Sequence, residues 1–420
     1  MHAFLIPLAL IATPAGDGAG AWPEFRGPTA DGRSPAEGLP LRWSETENVR
    51  WKTPIHDRGW STPVVLGRQV WLTTATADGK DMYAVCVDRE TGAVVHDLRL
   101  FHNESPRPLG NDLNCYASPS PVIEPGRVWV SFGSYGTACL DTATGKRLWE
   151  RRDLPCNHFR GPASSPVLFE GRLILHMDGS DHHYVVALDA KTGDTVWKTP
   201  RSTDYGDLDS EGKPRADGDF RKAFNTPFIT RHGDRPVMIS PAAKAAYGYD
   251  PRTGKELWQV RYPEHSSASR AVVLGDLAFI NTGYSRAQLW AVRLGGEGDV
   301  TGSHVAWKRD KSVPNRPSPV LVDGRIYTVS DKGVGVCLDA RTGEEVWVER
   351  IGGNYSASPV CADGRIWFFS HEGKTTVVRP GDKLDVVAEN QLDDGFMASP
   401  AIAGKAFYLR TRTHLYRIEE

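Results

Sequence analysis

Ala187-Leu188-Asp189-Ala190-Lys191-Thr192-Gly193-Asp194-Thr195-Val196-Trp197 is one of several near-copies spread along this 420-residue chain. Residues 139–149, 248–258 and 337–347 read the same way: an Asp leads into a Thr-Gly turn, and a Trp follows the Gly by four positions. Gly supplies the positive φ that a tight hairpin needs, while Asp and Thr bond the turn's own backbone. Apolar runs flank each copy, so each reads strand, turn, strand. The Trp then stands on an outer strand, where its flat ring can cover a peptide plane of the next unit and its indole N–H can reach a carbonyl. Self-similarity at this spacing marks a repeat architecture, and a clasp between repeats predicts a propeller. Trp149, Trp197, Trp258 and Trp347 end the complete copies, and Trp51 and Trp307 stand in incomplete ones. All six are assigned to docking between blades.

The blades can be counted from their openings. Ser-Pro or Thr-Pro precedes an apolar run at 62–63, 120–121, 165–166, 226–227, 318–319, 358–359 and 399–400, with Ser269-Arg270-Ala271-Val272 as a degenerate eighth. Pro begins an innermost strand well, because its φ is already set and its missing N–H need not pair there. The last repeat stops at Glu420 after three strands, whereas Val49-Arg50-Trp51-Lys52-Thr53 is an outer strand with no hairpin before it. Pairing the two would close the ring and protect its edges. The expected fold is all-β, an eight-bladed β-propeller over 49–420 closed by an N-terminal strand. Three departures predict weaker seams: His96 in place of Trp, the insert 294–304 before Trp307, and Pro380-Gly381 with no Trp after it.

Composition agrees with an all-β chain rich in turns, with 42 Gly, 29 Pro and 13 Trp. A formal net charge of -2 and no basic stripe interleaved with aromatics exclude nucleic acid as a natural partner. Residues 1–21 read as a signal peptide, with an apolar run at 3–12, small residues ending Ala19-Gly20-Ala21, and an n-region that lacks Lys and Arg. The run is too short to span a bilayer. The mature chain is therefore expected to be exported and periplasmic. Residues 22–48, rich in Gly, Pro and polar residues, form an N-terminal arm read as a strap across the propeller rim. Of the six cysteines, Cys86, Cys139 and Cys337 share the small-residue position of the repeat, and a Cys115–Cys156 bridge between adjacent loops is left open.

Two insertions, 101–117 and 201–224, lead into innermost strands and so are expected on one face, where loops on a rigid scaffold carry function. Residues just before the opening Pro should line its funnel: Asn114, Tyr116, Asn157, His158, Arg160, Arg221, Asn225, Arg270, Arg316 and Tyr355, with Lys222, Asn315 and Asn354 beside them. Such a set suits a polar or anionic ligand. The segment Asp178-Gly179-Ser180-Asp181-His182-His183 offers metal ligands but has neither a full calcium-loop spacing nor a second zinc half-site, so the metal is left unassigned.

The 187–197 copy resembles the tryptophan-docking motif Ala-x-Asp-x-x-Thr-Gly-x-x-x-Trp of quinoprotein propellers at every defined position, and the other copies differ only in carrying Cys139, Gly248 or Cys337 for Ala. From 49 to 420 the chain is similar to the PQQ-like β-propeller repeat family, which includes PQQ-dependent dehydrogenases and BamB-like assembly propellers. Residues 22–28 resemble the start of many secreted PQQ-like repeat proteins, and residues 133–141 and 156–162 resemble secreted repeat proteins of planctomycete-type bacteria. For a dehydrogenase the resemblance implies a vicinal Cys-Cys disulfide, a calcium and an Asp base, yet no two cysteines here are adjacent and no Cys-x-x-Cys-His is present. The leading expectation is a non-catalytic binding or protein-interaction scaffold with no assigned catalytic residue, whose partner is an unknown protein or a polar small ligand at the funnel. The alternative is a PQQ- and calcium-dependent oxidoreductase of alcohols or sugars, and a glycan-directed propeller would need paired carboxylates across the funnel.

Overall fold

The opening Pro residues, and Arg270 in blade 5, lead into the innermost strands of the eight sheets that a computed structural model shows, each with four antiparallel strands and the fourth with an added parallel one. It describes residues 20–284 and 286–420, so all but the last two residues of the expected signal peptide lie outside it. In chain order the blades are 64–102, 122–151, 167–200, 228–261, 272–309, 320–350, 360–391 and 401–418, each starting at its innermost strand and all but the last ending at an outer one. Blade 8 takes its outer strand from Val49–Pro54, which pairs antiparallel with His414–Ile418 and sets Trp51 opposite Arg417. No helix among the described residues is long and apolar enough to cross a membrane.

The repeat motif works through a turn and a bulge. In blade 3, Asp189 Oδ1 accepts the backbone N–H groups of Lys191 and Thr192 at 2.8 and 3.0 Å, and Gly193 takes φ +80°. The register then slips, so that Ala187 faces Trp197 while the next residue, Leu188, faces Thr195. Such a bulge re-aims a side chain, and a small residue opposite leaves room for the ring. Trp149 Nε1 donates to Ala190 O of the next blade at 3.0 Å, and its ring lies where a Cβ on Gly193 would stand. Trp51, Trp197, Trp307 and Trp347 donate in the same way to the carbonyls of Arg89, Pro251, Ala340 and Gly381. Each of these bonds adds about 1 kcal/mol beyond the apolar area the ring covers.

Trp258 departs from its expected role. It is fully buried, its indole N–H has no partner among the described residues, and its ring lies over Gly248 of its own blade. The hairpin it would have covered is replaced by the insert 294–304, part of which pairs in parallel with blade 4, Trp258 opposite Gly298. The seams expected to be weak are thus braced by other means. His96 stacks on Trp71 and packs against Gly145 of blade 2, and Trp43 of the arm stacks on Trp367 of blade 7 while touching Phe407 of blade 8.

The arm is more than a rim strap. Trp22 exchanges two backbone bonds with Val65 of blade 1, and Pro23 O accepts from Ile123 of blade 2. Arg26 donates to the carbonyls of Pro359, Pro319 and Asp31, and Gly32 and Ser34 pair with Cys361 of blade 7. Because innermost strands surround the axis, residues 22–34 cross the channel and close one end of it. Residues 36–48 then run out along blades 7 and 8, where Trp43 N–H meets Asn390 Oδ1 at 2.9 Å.

Candidate functional site: a funnel above a closed channel

The Ser or Thr before each opening Pro has a job of its own. Thr62 N–H donates to Ser120 Oγ, Ser120 N–H to Ser165 Oγ, and Ser165 N–H to Thr226 Oγ1, each at 2.9 Å. The series resumes from Arg270 N–H to Ser318, then Ser358, then Ser399, again at 2.9 Å. This belt of backbone-to-hydroxyl bonds lines the axial channel. It breaks between blades 4 and 5 because Arg270 occupies the hydroxyl position, and there Asn225 Nδ2 reaches across to Ser269 O at 2.6 Å. Between blades 8 and 1 the buried Arg410 spans the gap, donating to Ser61 Oγ and Thr73 O.

Arg270 was expected in the funnel, but the structure places it at the floor. Its guanidinium is 1 % exposed and bonds Pro227 O and Phe25 O, with Glu24 at 3.5 Å. Burial lowers its pKa and raises that of Glu24, and each partner offsets part of the other's shift. Arg26 beside it is equally buried, and that burial pulls it down to about 9 despite Asp31. The floor is a built, charge-matched plug.

At the opposite end the channel widens into a cavity of about 380 Å³ lined by Asn111, Leu113, Asn114, Arg160, Ala163, Asp219, Phe224, Ser266, Ala268, Tyr284, Asn315, Arg316 and Asp331. Both insertions reach it, the first through Asn111 to Asn114 and the second through Asp219 and Phe224. Arg316 Nε donates to Asp331 Oδ1 at 2.6 Å, and Asp331 Oδ2 accepts both the backbone and side-chain N–H of Asn315. Arg160 takes φ +71°, lies over Phe159 at 4.7 Å, and is 3.9 Å from Asp219. Asn114 is committed to the loop, donating to Arg160 O and Pro162 O.

Of the residues expected to line the funnel, the structure gathers Asn114, Arg160 and Arg316 there, with Asn315. The others support the loops. Tyr116 is buried with its hydroxyl on Arg107 O, Asn225 is buried on Ser267 and Ser269, and Tyr355 is fully buried. Asn157 is pinned through its backbone N–H to Asp181, and Arg221 forks onto Asp207 inside the second insertion. His158 lies beneath the loop with Nδ1 accepting from the buried Lys222 at 3.2 Å, so burial first and this cation second hold its pKa well below the usual imidazole value. Cys156 is 3.7 Å from His158, Cys115 faces Ser118, and both are free thiols, so the bridge left open in the sequence is not formed.

Sequence reading missed Tyr284 and Asp331. In an antiparallel blade the turn between the second and third strands returns to the end where the first strand began, so those turns also face the funnel. That topological rule would have found both.

The first carboxylate of the metal-like segment is spent on structure. Asp178 is held bidentate by Arg201, at 2.9 and 2.7 Å, in a fully buried pair that also engages Ser240. Burial raises the Asp178 pKa, but Arg201 more than offsets it and holds the carboxyl below its usual range. Among the described residues no three His, Cys, Asp or Glu side chains stand together as a metal site.

The chain's relatives share this architecture. The PQQ-type family model described as outer membrane protein assembly factor BamB matches residues 44–296 and 242–395. The chain belongs to this family. The outer membrane protein assembly factor BamB of Yersinia pestis is 24% identical over 309 residues, 65% of this chain and 77% of that protein. That of Kangiella koreensis is 36% identical over 105 residues, 23% of this chain and 25% of its own length. Among solved structures, BamB from Moraxella catarrhalis superposes with a TM-score of 0.58 at 11% identity, covering 88% of this chain and 99% of that one. The quinohemoprotein alcohol dehydrogenase of Comamonas testosteroni gives 0.67 at 12% identity, covering 95% and 80%. Identities this low carry the fold alone.

The gathered residues do not fit PQQ and calcium. The funnel's two carboxylates, Asp219 and Asp331, both face guanidinium groups, and no vicinal cysteine pair exists to lie against a quinone ring. In this family member a carboxylate already paired with a cation makes a poor calcium ligand or base.

Proposed function

We propose that this chain is an exported, non-catalytic binding propeller that holds its partner on the funnel face. One observation carries the reading: both insertions converge on a cavity set over a channel plugged from below, and the carboxylates of that cavity face arginines rather than a reactive space. The name of its relatives, outer membrane protein assembly factor, supplies the class of partner, a protein engaged in outer membrane assembly.

A photoreactive residue placed at Leu113, which is 54% exposed at the funnel, tests the reading against the same residue at Leu148 on the outer rim. Discrete adducts in the periplasm from position 113 alone are expected. Equal adducts from both positions would overturn a funnel-specific role. Calorimetric titration with PQQ, with and without Ca²⁺, followed by dye-linked oxidation of alcohols and sugars, addresses catalysis. Calcium-dependent binding with turnover would replace the scaffold reading by an oxidoreductase.

A further inference from the structure

The funnel holds two arginines whose donors are only partly used. Arg316 spends Nε on Asp331, while its Nη1 is shielded from solvent and has no protein partner among the described residues. The same side chain lines both the cavity and the channel beneath it, so it sits at the throat. Besides lying over Phe159, the Arg160 guanidinium makes, among the described residues, one long hydrogen bond to Gly110 O at 3.4 Å and a 3.9 Å approach to Asp219. A buried donor without an acceptor is unfavourable. An oxygen acceptor arriving in the throat would satisfy it.

The remaining wall combines Asn111, Asn114, Ser266 and Asn315 with an apolar and aromatic patch. Leu113, Phe224, Ala163 and Ala268 line it, and Tyr284, 59% exposed, stands at the mouth. Tyr284 is followed outward by His265 and Phe220, edge-on at centroid distances of 6.4 and 5.1 Å. Charge count narrows the ligand further. Two guanidiniums and two carboxylates leave the cavity near neutrality, so one added negative charge is tolerated where the two charges of a phosphate would meet Asp219 and Asp331 at short range. A carboxylate matches the guanidinium fork in shape as well as charge.

We infer that the funnel binds a monocarboxylate with a compact apolar or aromatic body, its head on Arg316 and Arg160 and its body against Phe224 and Tyr284. This rests on the reading of the funnel as the binding face and names the chemistry recognised there. A free aromatic acid and the C-terminus of a polypeptide ending in an apolar residue share that chemistry.

Isothermal titration with 3-phenylpropanoate and its amide, and with the peptide Gly-Gly-Gly-Phe as free acid and as C-terminal amide, tests it in the full chain. At least one acid should bind tenfold or more tighter than its amide. The peptide pair alone showing the difference would assign the chain terminus as the source, and the small-acid pair alone would assign the free acid. Arg160→Gln and Arg316→Gln should each abolish the discrimination, and Arg160→Gln, which breaks no short ion pair, should keep the parent unfolding temperature. Equal binding of acids and amides, absence of binding by all four probes, or full discrimination in Arg160→Gln would overturn the inference. Adducts from Leu113 together with no acid preference would retire the carboxylate and leave the binding face standing; failure of both would retire both.

Discussion

The two ends of the axial channel use the same residue types for opposite purposes. At the floor, Arg26 and Arg270 are 1 % exposed and all but one nitrogen of each donates to a backbone carbonyl, with Glu24 beside Arg270. At the funnel, Arg160 and Arg316 are partly exposed and keep donors uncommitted. The difference lies in what the arm supplies. It brings carbonyls and a carboxylate to the floor, where Arg26 and Arg270 place most of their donors, whereas among the described residues no such strap reaches the funnel. The floor arginines are enclosed by backbone carbonyls and hold the fold together, whereas the funnel arginines border a cavity that a ligand can enter.

Breaking the floor should have the largest effect. Arg26→Met leaves the carbonyls of Pro319, Pro359 and Asp31 without their donor, and about 3 kcal/mol of stability should be lost at roughly 1 kcal/mol per orphaned acceptor. Denaturant unfolding measures it, and the folded variant should bind funnel ligands unchanged. If funnel binding weakened in step, the two ends would be coupled rather than independent. Gly32→Ala strikes the same plug more gently. Gly32 holds φ +85° and an added Cβ would meet the Arg26 guanidinium at 2.3 Å, so a loss of about 2 kcal/mol is expected.

The wall joining the two ends should respond to pH. His176 is buried between Asn225 O and Ser240 Oγ, and burial, reinforced by Arg201, pulls its pKa to about 3. With the folded value below the unfolded one, the unfolded state binds more protons between the two. Stability is therefore complete above the unfolded pKa and falls with decreasing pH at about 1.4 kcal/mol per unit until the folded pKa is reached. Unfolding midpoints from pH 7 to 4 should show this slope, reduced in His176→Gln. The smallest stability effect belongs to the funnel: Arg160→Gln should change stability by less than about 0.5 kcal/mol, and a larger loss would mean that Arg160 is built into the scaffold as the floor arginines are.

Much of the fold was legible because a repeat states its physics several times. Asp189, Thr192, Gly193 and Trp197 make their turn, bulge and ring contact from local chemistry, and the same residues recur at 139–149 and 337–347. The site was legible only in part. Position before an opening Pro places a residue near the funnel but leaves its direction open, so Arg316 reaches the throat, Arg270 turns to the floor, and Asn225 and Tyr355 are buried. Trp258 matches its motif as well as Trp149 does, yet its fate depends on a neighbour in which the insert 294–304 replaced the hairpin.

The sequence by itself determined the blade count, the Thr-Gly turns, the ring closure through residues 49–54, and the face on which the insertions lie. These follow from short-range rules of turn, register and strand pairing. Only the tertiary structure decided that the arm plugs the channel, that the Ser and Thr hydroxyls form a belt around it, and which arginines are left with unspent donors. Each of those outcomes depends on groups tens to hundreds of residues apart meeting at one axis, where the last partner to arrive determines whether a buried charge is satisfied.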